Sequence, residues 1–265
     1  MSEVRVMTTT AAVAGRPSPS IWADCPIAEL QQNPAKGLYL FEDFLTVPGA
    51  TTIKGNMWYP IIGTGCTVNQ LKDNAGVVQL LHDGTDNDIV SLSTGNNVSG
   101  ITKITSTMPT GFWYEARFKV NTITNDDIAV FVGLAEEALS AQTGLIADTS
   151  AALADKDLLG FYVDDGDGDD LTIVHRKAGG ALVSQTGKIT LAVDTYVQVG
   201  FKYNPLKNIV DVYLNGEKVG DPIDCSLATF PSAQDLALYL VCKMMGGAAA
   251  DYLAVDWVGV AHTNY

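Results

Sequence analysis

Carboxylates are the most abundant reactive side chains in this chain, which carries 30 acidic residues against 16 basic ones. Hydrolysis of a glycosidic bond needs two of them close together on one strand face, in spacings such as E-x-D-x-E, one to protonate the leaving oxygen and one to attack or activate water. No E-x-D-x-E or E-x-D-x-x-E triplet occurs. Glu115, Asp211 and Asp256 each stand alone on a strand-like run, where a carboxylate without a partner is expected to face solvent. Glu136 and Glu137 are adjacent and would point to opposite sides of a strand.

The densest cluster is Asp164, Asp165, Asp167, Asp169 and Asp170, whose interleaved glycines could let carboxylates wrap a hard cation. Read as an EF-hand from Asp165, the sixth position is Asp170 instead of glycine and the twelfth is Arg176 instead of glutamate. The run is therefore expected to be a solvated, self-repelling turn. His82, His175 and His262 have no H-E-x-x-H spacing, and no G-x-S-x-G elbow presents a serine nucleophile. The glycine pairs at 179–180 and 246–247 lack the strand-to-helix setting of a phosphate loop and read as turns. Cys25, Cys66, Cys225 and Cys242 show no C-x-x-C spacing, so they are expected as reduced thiols without zinc. Asn97-Val98-Ser99 matches a glycosylation sequon, which has meaning only in a secreted chain. Trp22, Trp58, Tyr59, Trp113, Tyr114 and Trp257 could stack on sugars, but in strands they are expected in the core. No catalytic, cofactor-binding or metal-ligating residue is assigned, and no cofactor is expected.

The elements that would position these groups are strands. Val197, Val199, Phe201 and Tyr203 alternate with Gln198, Lys202 and Asn204, the period of a half-buried strand. A polar reversal at Pro205 to Asn208 leads to a second strand, Ile209 to Leu214, closed by the hairpin dipeptide Asn215-Gly216. Similar runs occur at 38–44, 57–63, 76–83, 88–93, 101–106, 112–120, 128–135, 188–193, 236–244 and 252–260, and 160–180 reads as a hairpin whose tip is the acidic run 164–170. About fourteen short strands with almost no long helix predict two packed antiparallel sheets. Residues 136–157 break the pattern and are expected to form a loop with short helices at 136–142 and 150–154.

Residues 1–36 differ in composition, with Thr, Ala, Pro and Ser prominent, and read as an arm apart from a single domain at 37–265. A short helix is expected over Pro26 to Gln32, ended by Asn33-Pro34. Ordering such an arm costs about 1–2 kcal/mol of backbone entropy per residue, so something is expected to hold it, a partner subunit foremost. The net charge of −14 gives no support to nucleic-acid binding. No apolar run approaches a membrane span, and Val6 to Gly15 is too polar for a signal-peptide core, so synthesis in a host cytoplasm is expected.

The order FEDF, FWYEARFKV with VGLAEE, GFYVDDG, LTIVHRKAGG, YVQVGFKYNPLKNIVDVYLNGEKV and LAVDWVGVAH resembles the concanavalin A-like, laminin-G-like jelly rolls found in tailed-bacteriophage virion proteins, over about residues 37–262. The resemblance implies a non-enzymatic virion protein on the capsid exterior, foremost a head decoration or cement protein. Its implied partners are the major capsid protein or other virion proteins, and a homotrimer is expected. The alternative is a carbohydrate-binding adhesin domain of a head or tail fibre, with a glycan as ligand. A hydrolase, the third reading, would depend on Glu115 or Asp256.

Overall fold

A computed structural model describes residues 16–45, 57–71, 76–94, 99–104, 111–136, 144–147, 150–187, 189–232, 234–246 and 250–264. The strands are β1 (Gly37–Glu42), β2 (Tyr59–Ile62), β3 (Thr67–Gln70), β4 (Val78–Leu81), β5 (Ile89–Ser93), β6 (Phe112–Val120), β7 (Ile128–Glu136) and β8 (Leu158–Val163). They continue with β9 (Leu171–Arg176), β10 (Val183–Gln185), β11 (Val197–Asn204), β12 (Ile209–Leu214), β13 (Glu217–Asp224), β14 (Leu236–Met244) and β15 (Tyr252–Thr263). Two short helices, α1 (Pro19–Trp22) and α2 (Ile27–Gln32), precede them.

The strands form two antiparallel sheets, the expected jelly-roll sandwich. One runs β13-β12-β11-β6-β15-β4-β3, with β1 also paired to β15; the other runs β10-β9-β8-β7-β14-β5-β2. Alternation along each strand sets which residues meet between the sheets. From β6 these are Phe112, Tyr114, Ala116, Phe118 and Val120, and from β14 they are Leu236, Leu238, Leu240, Cys242 and Met244. Phe161 of β8 stacks on Phe201 of β11 at 4.6 Å, and Tyr114 stacks on Phe201 at 5.3 Å, so aromatic rings join the two layers. A bulge between Val255 and Trp257 keeps β15 in register with β6 at both ends.

Each outer face also carries an apolar patch, which the chain covers with its own segments. On the seven-stranded sheet, Phe131, Tyr162, Tyr239 and Val241 pack beneath Leu145, Ile146, Ala151 and Leu153. The covering backbone is tied down where the Tyr162 hydroxyl donates to the Ala151 carbonyl and Arg176 Nη1 donates to the carbonyls of Leu153 (3.1 Å) and Ala154 (2.9 Å). On the eight-stranded sheet, Trp113, Tyr213 and Ala261 pack beneath Ile21, Trp22 and Leu30. Thus the described part of the expected arm, residues 16–36, lies on this chain's own sheet, while 1–15 fall outside the described residues.

The Asn215-Gly216 hairpin appears where expected, with φ of 47° and 83°. Helix α2 matches the expected span and ends at Asn33, although Pro26 is its N-cap rather than its first helical residue. Several expectations are corrected. The run at 101–106 makes only a bridge from Thr102 to Leu236, with 105–106 outside the described residues, and 188–193 makes only a bridge from Thr190 to Asp170. In place of a helix at 150–154, Leu153 pairs antiparallel with Ile146, because Leu145, Ile146 and Leu153 are drawn onto the sheet. The helix expected at 136–142 lies outside the described residues except for Glu136, which ends β7. Strands β3, β10 and β13 and helix α1 were not expected; β3 and β10 are short, and β13 lies on an edge too exposed to show an apolar alternation.

Candidate functional site

The outer face of the eight-stranded sheet carries the carboxylate that the sequence places on β6. Cross-strand register puts Tyr213, Gly200, Glu115, Gly259 and Phe41 in one row across β12, β11, β6, β15 and β1. A glycine on each side of Glu115 leaves a trough in which a neighbouring chain segment can approach the sheet. Ile21 settles over Gly200, where an added Cβ would lie 2.6 Å from its Cδ1, and the Trp22 ring settles over Gly259, where a Cβ would lie 3.0 Å from its Cζ2.

Glu115 is 1% exposed, not the solvated residue expected, because α1 closes over it. Ser18 donates its backbone N–H to Oε2 at 2.8 Å and its hydroxyl to Oε1 at 2.5 Å, and Trp22 Nε1 donates to Oε2 at 2.8 Å. Burial pushes the carboxyl above the ordinary glutamate value, and these three bonds only partly oppose the shift. Asp256, the other carboxylate considered for hydrolysis, is paired to Arg117, whose guanidinium lies 3.9 Å from the centroid of the Tyr196 ring. Asp211 pairs with Lys218 at 2.5 Å, and Glu136 with Lys156 at 2.6 Å; Glu137 is outside the described residues. Glu115, Asp256, Asp211 and Glu136 thus each have a donor or cation committed to them.

Beside α1 a cavity of about 300 Å³ is lined by Asp24, Lys202, Asn204, Asp211 and Tyr213. Asp24 accepts from Trp113 Nε1 at 3.0 Å and pairs with Lys202 at 2.8 Å. Burial would raise its carboxyl, but the Lys202 and Trp113 bonds prevail and hold it below the ordinary value. An aromatic ring edged by an ammonium, an amide and carboxylates can take a polyhydroxylated ligand.

The acidic run does not converge as a cage. Asp164 caps a single 3-10 turn by accepting from Gly166 N–H at 3.3 Å, and Asp170 accepts from Gly187 N–H at 3.0 Å. Burial and the adjacent Asp164 raise Asp165 to about 6. Among the described residues, the side chains close enough to share a metal ion are Cys66, Asp83 and Asp88, from two turns far apart in sequence. None of the four cysteines is in a disulfide. Trp58, Trp113, Tyr114 and Trp257 are buried as expected of strand residues, Trp22 is buried although it lies in the arm, and Tyr59 is half-buried. His82 and His175 are buried, and His262 is half-buried. Gly179 and Gly180 form a turn closed by Gly180 N–H on the Lys177 carbonyl at 2.8 Å, whereas Gly247 and the first two residues of the sequon are outside the described residues.

Ser18, Trp22 and Asp24 were missed as partners of the sheet because they lie in a segment of arm-like composition. The signal that could have found them is the pair of glycines interrupting VQVGFKY and VDWVGV, since a strand glycine often marks the close approach of another backbone.

No protein-family model matches the chain, and no curated protein matches its sequence. Solved structures resemble it in fold. A protein of unknown function from Shewanella oneidensis MR-1 aligns over 90% of this chain and 94% of its own, with 15% identity and a TM-score of 0.57. The catalytic domain of an endo-1,3-beta-glucanase (laminarinase) from Thermotoga petrophila aligns over 87% and 100%, with 11% identity and a TM-score of 0.54. Peanut lectin aligns over 86% and 98%, with 13% identity and a TM-score of 0.55. The sandwich is therefore of the lectin and glucanase type.

Proposed function

We propose that this chain is a non-enzymatic structural protein of a tailed-bacteriophage virion, foremost a head decoration or cement protein on the capsid exterior. The observation that carries the non-enzymatic part is Glu115, sealed beneath α1 with both oxygens occupied, where a hydrolase would keep its carboxylate open to substrate. Coverage of both outer faces by the chain's own segments supports a rigid, inert body. The virion assignment rests on the resemblance of the strand motifs, and the net charge of −14 suits an outer surface away from the packaged genome. Since residues 16–36 serve the sandwich itself, the fastening role is assigned to residues 1–15, with the major capsid protein as partner and a trimer as the assembly unit. Locating the protein in purified particles by cryo-electron microscopy tests this. Density on the shell that is lost on deleting residues 2–15 is expected; absence from particles, or hydrolysis of a β-glucan by the purified chain, would overturn it.

The second reading, a carbohydrate-binding adhesin domain, is favoured by the cavity of Asp24, Lys202, Asn204, Asp211 and Tyr213 and is compatible with the lectin-type fold. A glycan array decides it: saccharide-specific, micromolar binding that is lost in Tyr213→Ala would replace the purely structural role.

A further inference from the structure

We infer that Cys66, Asp83 and Asp88 form a site for a thiophilic divalent cation of the zinc class, with the His82 imidazole against the thiol. Cys66 closes a turn by donating its N–H to the Gly63 carbonyl at 3.2 Å, His82 and Asp83 follow β4, and Asp88 precedes β5. Ligand atoms of Cys66, Asp83 and Asp88 all lie within 4.8 Å of one another, and Cys66 Sγ is 3.6 Å from His82 Nδ1 and 3.9 Å from Asp88 Oδ2. Zinc bonds of about 2.3 Å to sulfur and about 2.0–2.1 Å to nitrogen or oxygen, at tetrahedral angles, set such ligand pairs about 3.6 Å apart. The sulfur-to-nitrogen and sulfur-to-oxygen separations are thus close to those a bound ion imposes.

Three further features fit a cation better than a chance meeting of side chains. His82 Nε2 lies 3.0 Å from the Cys242 carbonyl, which can only accept, so Nε2 carries the proton and the Nδ1 lone pair faces the thiol. Two glycines make room for the carboxylates: a Cβ at Gly65 would collide with Asp83 Oδ2, and one at Gly63 would lie 2.9 Å from Asp88 Cγ. Cys66, His82 and Asp88 are buried while Asp83 is exposed, which gives an ion an entry path and a dry inner wall. A thiolate ligand selects zinc-like ions over calcium or magnesium. On binding, the Cys66 thiol proton is released to solvent and the thiolate takes its place on the ion. This inference is independent of the virion reading. The absence of C-x-x-C does not bear on it, because the fold, not local spacing, gathers the three ligands.

The test uses the full chain stripped with a chelator and titrated with Co²⁺ or Zn²⁺ alone. One equivalent of Co²⁺ giving thiolate-to-metal charge-transfer absorption, and a Tm raised by Zn²⁺ but not by Ca²⁺, are expected. Cys66→Ser should abolish the charge-transfer band and Asp88→Asn should weaken Zn²⁺ binding by roughly tenfold or more, whereas Cys25→Ser should change neither. A Co²⁺ spectrum without thiolate character, a band that persists in Cys66→Ser, or equal stabilisation by Ca²⁺ would overturn the site and leave a thiol–imidazole hydrogen bond. If Cys66→Ser does not fold, wild-type absorption and the Asp88→Asn titration decide alone.

Discussion

At the scale of single residues, two buried titratable groups respond to pH in opposite directions. Glu115 has its folded pKa raised above the ordinary 4.5 by burial, so the folded state holds its proton more tightly than the unfolded one. Its contribution is therefore greatest below that ordinary value and declines as pH climbs through the raised one. His175, lowered from 6.5 to about 4 by burial, is the reverse: its stabilising contribution is present above pH 6.5 and is lost as pH falls towards 4. The difference corresponds to about 3 kcal/mol at most, and denaturant melts of His175→Leu against wild type across this window should show a flatter acid limb in the variant. Glu115→Gln should flatten the opposite limb. Its cost at pH 7 should be under about 1 kcal/mol, because the amide oxygen can accept from Ser18 N–H and Trp22 Nε1 while the N–H₂ donates to the Ser18 hydroxyl oxygen. For the acidic turn, whose Asp164 and Asp170 cap backbone N–H groups, adding Ca²⁺ to the Cys66→Ser variant should leave Tm unchanged. A rise of several degrees would show a cation there.

At the scale of elements, α1 and the strands beneath it act as one unit. Ile21 is fully buried, so Ile21→Ala should destabilise by about 2–5 kcal/mol in chemical denaturation, as for a core position. Gly200→Val should have a comparable effect by lifting α1, since its Cβ would meet both Ile21 and the Tyr114 carbonyl. The Trp22 indole would then leave the carboxylate, which is readable as a red shift in tryptophan emission. The strands of this unit were legible in the sequence because β6, β11 and β12 alternate cleanly between core and outer face. Their outer face was not, since Glu115 and Lys202 look like solvated positions until Ser18, Trp22 and Asp24 are laid over them. Pairing between residues about ninety positions apart leaves no periodic trace, only the two strand glycines. The Cys66 cluster was invisible because Cys66 and Asp88 stand 22 positions apart in two turns, in no metal-binding motif.

At the scale of the whole molecule, the sandwich has three apolar layers: the core between the sheets and one beneath each covering segment. Deleting residues 2–15 should leave thermal stability within a degree or two of the full chain, whereas deleting 2–36 should lower Tm sharply and increase binding of a hydrophobic dye. The second deletion removes Ile21, Trp22 and Leu30 and strands Glu115 without its donors. Equal melting of the two truncations would show that the covering segment is not part of the folded unit. Fold class was legible because fourteen or so short alternating runs leave few other ways to bury their apolar sides. The third dimension of the arm was not, because short proline-bounded helices of mixed composition read alike whether they lie on the parent sheet or on a neighbour.

Where the two sheets meet at β10 and β13, the Gln185 side chain donates to the Asp221 carbonyl at 3.0 Å and accepts from Asp221 N–H at 3.2 Å. A carboxamide thus takes the place that a visiting backbone would need midway along β13, and Pro222 next door offers no N–H at all. Midway along β13 that edge is closed to strand addition, whereas among the described residues β3 and β2 end their sheets at the opposite margin.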